Sequence, residues 1–261
     1  MKLNFLISTL NDRICDIELH DGQLYTISHQ ITKPLSHKSK LKIDDLLNLK
    51  NVKYSLCSKK GVAANRNNSI SNRFSNCYYI VSDDDVFYDY DKIKSITNYI
   101  SKYDAITFQI MKSKNIPYKH YSNVSRWHNL FSIGSVGSIE IGFSERFISK
   151  MNLFNEKFGP GSKNHIGEDF IFMFDNVVRN KNKIRYCPIP FVYHPNTSTG
   201  LNFKSKKIIL GRGAMFRECF GFISFIISFI WSIKKYPKYK QEISFFEMLK
   251  NLLIGNKNFE C

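Results

Sequence analysis

A chain of 261 residues, 43% of them hydrophobic, can bury about three quarters of its unfolded surface and needs no disulfide or metal staples. Its 38 Lys and Arg against 22 Asp and Glu leave a formal charge of +16, which favours anionic partners: nucleic acid, acidic lipid or phosphorylated small molecules. The six cysteines (Cys15, Cys57, Cys77, Cys187, Cys219, Cys261) contain no Cys-x-x-Cys pair, which argues against a zinc site and a secreted disulfide framework and fits a reducing cytosol.

Taken in order, the chain opens with a strand over residues 2–10, whose apolar run is too short for a signal peptide, and Ser8 and Thr9 stand at its exit. Leu24 to Ile31 and Val52 to Cys57 read as further strands, and the basic stretch Lys33 to Lys42 between them reads as a surface loop. Gly61 then opens a helix through Val62-Ala63-Ala64-Asn65-Arg66-Asn67, where a helix N-terminus beside Lys and Arg makes an intrinsic anion site.

Tyr78-Tyr79-Ile80-Val81-Ser82 is a short apolar strand that ends in Asp83, Asp84 and Asp85. Three adjacent carboxylates repel, so a fold keeps them together where a cation offsets them, and hard oxygen ligands suit Mg²⁺ or Mn²⁺ carrying substrate phosphates. The other reading is a solvated acidic turn. A helix over Asp91–Tyr103, a strand over Ala105–Met111, a variable loop over 112–128 and a strand over Ser138–Phe143 follow.

The glycine-rich loop Phe158-Gly159-Pro160-Gly161-Ser162 leads into a helix that begins at Glu168 and Asp169. Its first turn favours ionised carboxylates, either as simple capping or as a general base. Ile184 to Val192 is extended, and its prolines put it at a sheet edge. It delivers His194, a packing residue or a third metal or phosphate ligand, before the polar loop 196–200. Strands alternating with helices predict a mostly parallel α/β sheet.

Residues 201–261 carry 11 Lys and Arg against 4 Glu. Cys219 to Ile233 contains no charge, and at ~1.5 Å per residue it reaches ~22 Å, short of the ~30 Å core of a bilayer. Ser224, Ser228 and Ser232 form a small-residue stripe that permits close helix packing, against the main domain or in a homo-oligomer. The basic and aromatic run Lys234 to Lys240 beside it suits an anionic membrane surface. No RNA motif, zinc finger or helix-turn-helix signature accompanies the charge, so no nucleic-acid partner is expected.

The order of these segments resembles the family 2 glycosyltransferases of the GT-A fold, in particular bacterial members that build surface polysaccharides. It comprises a first strand with Ser and Thr, Gly-Val-Ala-Ala-Asn-Arg-Asn, Ile-Val-Ser-Asp-Asp-Asp-Val, Gly-Glu-Asp and Tyr-His-Pro, and it spans roughly residues 2–200. The resemblance implies a GT-A, Rossmann-like mixed, mostly parallel sheet over 1–205, followed by a helical membrane-associating region over 206–261. It implies a metal-dependent, inverting transfer from a nucleotide-diphosphate sugar to a glycan or polyprenyl-linked glycan at the inner face of the plasma membrane.

In that picture Asp83 and Asp85 match the ends of an Asp-x-Asp motif. Asp85 and His194 hold Mg²⁺ or Mn²⁺. Thr9, Arg66, Asp83 and Asp84 bind the nucleotide. Asp169 is the base, and Glu168 orients base or acceptor. Ser28-His29-Gln30 stands where many members place an acidic residue that reads the nucleobase. A nucleotidyltransferase is the competing enzyme, but the exit of its first strand would need a glycine that Ser8 to Arg13 lacks. An inactive membrane-bound scaffold of the same fold is the non-enzymatic alternative.

Overall fold

The computed structural model describes residues 2–194 and 202–259, so the polar loop expected at 196–200 lies outside the described residues. The elements begin with β1 (Leu3–Leu10), β2 (Leu24–Gln30), α1 (His37–Leu47), β3 (Val52–Leu56), α2 (Val62–Ser71), β4 (Tyr78–Asp83), β5 (Phe87–Tyr88), α3 (Ile93–Lys102) and β6 (Ala105–Ser113). They continue with β7 (Ile116–Pro117), β8 (Arg126–Trp127), β9 (Ile141–Ser144), α4 (Glu145–Ile148), α5 (Glu168–Phe174), β10 (Arg185–Tyr193), α6 (Lys206–Phe220), α7 (Ser224–Tyr239) and α8 (Phe245–Lys257).

One sheet runs in the order β3-β2-β1-β4-β9-β6-β10-β5, with β7 paired to β6 and β8 paired to β10. The four strands β3, β2, β1 and β4 are parallel, β9 lies antiparallel between β4 and β6, and β10 is parallel to β6. This is the mixed α/β sheet that the strand–helix alternation predicts.

Side-chain alternation along the strands builds two cores. Leu6 of β1 and Tyr79 and Val81 of β4 face one layer, with Ala63 and Ile70 of α2, Ile171 and Phe172 of α5, and Ile209, Phe216, Met248 and Leu252 of the C-terminal helices. Phe5, Ile7 and Ile80 face the other, against Leu46 of α1 and Ile96 and Ile100 of α3. Fully buried rings such as Phe143, Phe172 and Phe191 each contribute roughly 1.5–3 kcal/mol. The same core thus continues from the sheet into the C-terminal helices.

Several segments differ from their sequence reading. The basic stretch expected as a loop contains the start of α1, which Ser36 caps by accepting from the Ser39 amide; only Ser39 and Leu46 are buried on it, so its apolar periodicity is too thin to read. The strand expected over Ser138–Phe143 begins only at Ile141, because Ser138–Glu140 forms a 3-10 turn that buries Glu140. The proline-bearing β10 is not the outermost strand: the two-residue β5 covers it, and the register shifts fall around Pro190.

The uncharged stretch 219–233 is not one helix either. Gly221, at φ +56, ends α6, and a 3-10 turn precedes α7. Lys206–Tyr239 has the length and hydropathy of a membrane span, but this break divides it.

The serine stripe is used inside the chain. Ser224, Ser228 and Ser232 are fully buried, and Asn256 Nδ2 of α8 donates to Ser228 Oγ at 2.8 Å. Beside it α6 and α8 cross backbone to backbone: a Cβ on Gly213 would strike the Leu252 carbonyl oxygen, and one on Gly255 would strike that of Leu210. A homo-oligomer would therefore have to use a face other than the stripe.

Candidate active site

The parallel register of β1 and β4 places Ser8 beside Asp83, so both strands end at the same level. One residue further, Thr9 Oγ1 donates to Asp84 Oδ2 at 2.7 Å, and both residues are buried. Asn65 of α2 locks this corner: its Nδ2 donates to the Thr9 carbonyl at 2.9 Å and its Oδ1 accepts from Ser28 Oγ at 2.6 Å. Burial pushes the Asp84 carboxyl up to about 6, against the opposing pull of the Thr9 hydrogen bond and of Arg13. Asp84 and Thr9 thus form the floor of the corner, while the Asp83 and Asp85 side chains keep 29% and 30% of their surface exposed.

The acidic turn carries its own counter-ions. Arg66, only 5% exposed at its side chain, donates Nη2 to both Asp83 oxygens at 3.0 and 3.1 Å. Its Nη1 reaches Asp169 Oδ1 at 3.0 Å and Glu168 Oε1 at 3.4 Å. Burial alone would make Arg66 easier to deprotonate, but Asp83, Asp169 and Glu168 together raise its pKa far above the ordinary arginine range. On the other side Arg13 contacts Asp84, and its Nη2 lies 2.9 Å from Asp85 Oδ2. Asp85 Oδ1 meets His194 Nε2 at 3.4 Å.

The sheet explains how residues so distant in sequence meet. Phe87 pairs with Tyr193, so β5 and β10 carry Asp85 and His194 to one place. Arg66 and the Glu168-Asp169 pair meet because two glycine turns interlock: the Val62 amide donates to the Pro160 carbonyl at 2.9 Å, and a Cβ on Gly161 would come within 3.0 Å of Gly61 Cα. Gly159, at φ +96, lies so close under the Glu168 carboxylate that a Cβ there would approach its Cδ to 2.8 Å. The tight Phe158–Ser162 loop is therefore what seats the start of α5 over Arg66.

Glu168 and Asp169 differ in access. The Glu168 side chain is 11% exposed, and burial together with Asp169 pushes its carboxyl up while Arg66 opposes this. Asp169 keeps 30% exposure, so part of its carboxylate reaches solvent. The site residues inferred from sequence thus fall into two clusters. One joins Asp83, Arg66, Glu168 and Asp169; the other joins Thr9, Asp84, Asp85 and His194.

Two groups escaped the sequence reading. Arg13 stood in view at the exit of β1, but nothing in its neighbours marks it as a partner of Asp85. Glu140 is buried behind Gly137, where it accepts from the Gly137 amide at 2.8 Å and pairs with Lys119. An ideal Cβ on Gly137 would lie 3.5 Å from Glu140 Oε1 and 3.8 Å from Asp169 Oδ2, so a second carboxylate backs the Asp169 side of the cleft.

Among the described residues, no three or more His, Cys, Asp or Glu side chains gather into a ready metal cage. Asp85 and His194 nevertheless fit an ion of the Mg²⁺ or Mn²⁺ kind, which uses one or two protein donors when substrate phosphates supply the others.

No family model matches the sequence, and no curated protein matches it. Structural comparison does find relatives of shape. The crystal structure of S. aureus TarS 1–349 superposes with a TM-score of 0.58 at 10% identity, over 98% of this chain and 81% of that one. Its complex with UDP-GlcNAc gives 0.58 at 12% identity, over 97% and 80%. GalNAc-T7 with UDP, GalNAc and Mn²⁺ gives 0.57 at 12% identity, over 98% of this chain and 54% of that one. TarS is a GT-A glycosyltransferase.

The chain has the GT-A fold. The acidic turn after β4 stands at the carboxyl end of a parallel strand, where open α/β sheets bind ligands; the first turn of α5 joins it through Arg66, and His194 after β10 joins it through Asp85.

Proposed function

We propose that the protein is a glycosyltransferase that moves a sugar from a nucleotide-diphosphate donor to a hydroxyl of a glycan or polyprenyl-linked glycan, with inversion, in cell-surface polysaccharide synthesis. The observation that carries this reading is a pair of part-exposed carboxylates held differently: Asp85 beside His194, and Asp169 paired with Arg66. Three of the solved structures that share the fold contain UDP or UDP-GlcNAc, and one of the three contains Mn²⁺ as well, which supports a nucleotide-sugar donor and a divalent ion.

Asp85 and His194 would hold Mg²⁺ or Mn²⁺, and such an ion supplies Lewis-acid neutralisation of the departing diphosphate. Asp83, fixed from below by Arg66, keeps an oxygen edge for the nucleotide ribose. Asp169 takes the proton of the acceptor hydroxyl, which makes that oxygen the nucleophile at the anomeric carbon. Arg66 holds Asp169 at a fixed place and balances its charge before the acceptor arrives. Glu168, whose burial favours the protonated form, orients this end of the cleft.

The exposed face of α7 gives the enzyme a place to work. Ile226, Ile230 and Ile233 stand in solvent there, with Phe222 of the preceding turn, next to Lys234, Lys235 and Lys238. Apolar rings beside lysines suit the interface of an anionic bilayer, so the chain lies peripherally on the inner face of the membrane. Release of nucleoside diphosphate from a panel of UDP-, GDP- and dTDP-sugars tests the activity. One donor should be consumed, and Asp169→Asn should slow it by roughly 10²–10⁴-fold, the range of a lost general base. Turnover near wild type in that variant would remove Asp169 from the base role.

A further inference from the structure

We infer that Arg13 is the resident counter-ion of Asp85, holding the cation position of the acidic turn until a metal–diphosphate pair takes it over. This inference rests on the reading of the cleft as a nucleotide-diphosphate site. Both oxygens of Asp85 already face protein nitrogen, Oδ2 toward Arg13 at 2.9 Å and Oδ1 toward His194 at 3.4 Å. A divalent ion needs one of those oxygens, and at Oδ2 it would meet the guanidinium charge directly.

The two arginines of the site are built for different fates. Arg66 is sealed at 5% exposure and tied to three carboxylates, so it cannot leave without stranding them. Arg13 is 49% exposed and, among the described residues, its ion pairs are with Asp84 and Asp85. When it lets go, Asp84 still accepts from Thr9, and Asp85 gains the metal. The released guanidinium stays at the mouth of the cleft, where its planar fork matches a phosphate. Metal alone must displace Arg13 from Asp85 and leaves it only its contact with Asp84 among the described carboxylates. Metal with a diphosphate offers the arginine a new partner, so the two ligands bind with positive coupling.

The consequence is measurable without catalysis. Free Mn²⁺ is followed by electron paramagnetic resonance in the presence of the full chain, with and without UDP, GDP, CDP or dTDP. The wild type should take up Mn²⁺ weakly alone and more tightly with one nucleotide. Arg13→Gln should tighten Mn²⁺ binding in the absence of nucleotide by tenfold or more, and the further gain from nucleotide should shrink. Arg13→Met, which keeps the apolar stem, should show the same gain, and Arg13→Lys should stay near wild type. The double variant Arg13→Gln/Asp85→Asn should lose the gain. Thermal melts confirm that each variant is folded.

Equal or weaker Mn²⁺ binding without nucleotide in both neutral variants, while the wild type binds Mn²⁺ with a nucleotide, overturns the inference and leaves the site reading intact. If no nucleotide promotes Mn²⁺ uptake by the wild type, the site reading itself falls, and the inference falls with it.

Discussion

Arg66→Met is the sharpest test of how the site is held together. The guanidinium is buried and contacts Asp83, Glu168 and Asp169, so its removal leaves three carboxylates around an apolar side chain. Breaking a buried ion pair by deleting one partner costs roughly 3–5 kcal/mol. Asp83 and Asp169 are each about 30% exposed and can draw in water, which reduces their share. Glu168 at 11% exposure cannot, and it responds by taking a proton. The expected loss is therefore about 3 kcal/mol near neutral pH, the lower end of that range. For a chain of this length, at roughly 2–4 °C per kcal/mol, it lowers Tm by about 6–12 °C.

The loss should also depend on pH. Without Arg66 the Glu168 carboxyl is pushed still higher, so the folded state binds more protons than the unfolded chain, and stability falls as pH rises through neutrality. Urea unfolding at pH 5.5 and pH 8 reads both effects: the gap between variant and wild type should widen at the higher pH. A cost below about 1 kcal/mol, or a gap independent of pH, would refute the idea that Arg66 neutralises the cleft.

Other parts of the structure make further predictions. Asp84 has its carboxyl raised from 3.8 to about 6, so its ionisation weakens the fold as pH rises through that window; Asp84→Asn keeps an acceptor for Thr9 and should remove a loss of up to about 3 kcal/mol, seen as a flatter pH profile of stability between pH 4 and 6. Gly255→Ala would drive a methyl into the Leu210 carbonyl and should cost about 1–3 kcal/mol in urea unfolding, whereas alanine at Gly22, which has no neighbour within 4 Å, should be strained only by its positive φ and cost less. Ile226→Ser with Ile230→Ser should leave thermal stability unchanged, because both side chains are exposed, and should abolish co-sedimentation with anionic vesicles; retained binding would place the membrane contact elsewhere.

Legibility of the sequence followed the strength of local patterning. The β-branched and aromatic runs of β1, β2 and β4 and the helical spacing of Ile96 and Ile100 are strong local signals, and the fold class they predicted is the one found. The start of α1 was hidden because a mostly solvated helix with two buried residues carries charge where periodicity would show. At Ser138 the alternation of Glu140 and Gly142 mimics a strand, yet Glu140 turns inward to accept from the Gly137 amide and pair with Lys119.

The carboxylates of the site were visible as sequence clusters. Their counter-ions are less so: the sequence shows Arg66 as a basic residue at a helix start, but its grip on Asp169 needs two glycine turns over 90 residues apart to interlock. The serine stripe announced close helix packing, but only the Asn256 contact shows which helix it meets.

The central claim is that the cleft binds a nucleoside diphosphate through a divalent ion on Asp85. Thermal stabilisation by UDP, GDP, CDP and dTDP, each with and without Mn²⁺, tests it directly in the wild type and in Asp85→Asn. One nucleotide at a hundred times its Kd should stabilise the wild type by about 2.7 kcal/mol when Mn²⁺ is present, and this gain should vanish in the variant. No shift with any nucleotide in a folded protein, or an undiminished shift in Asp85→Asn, would contradict the account.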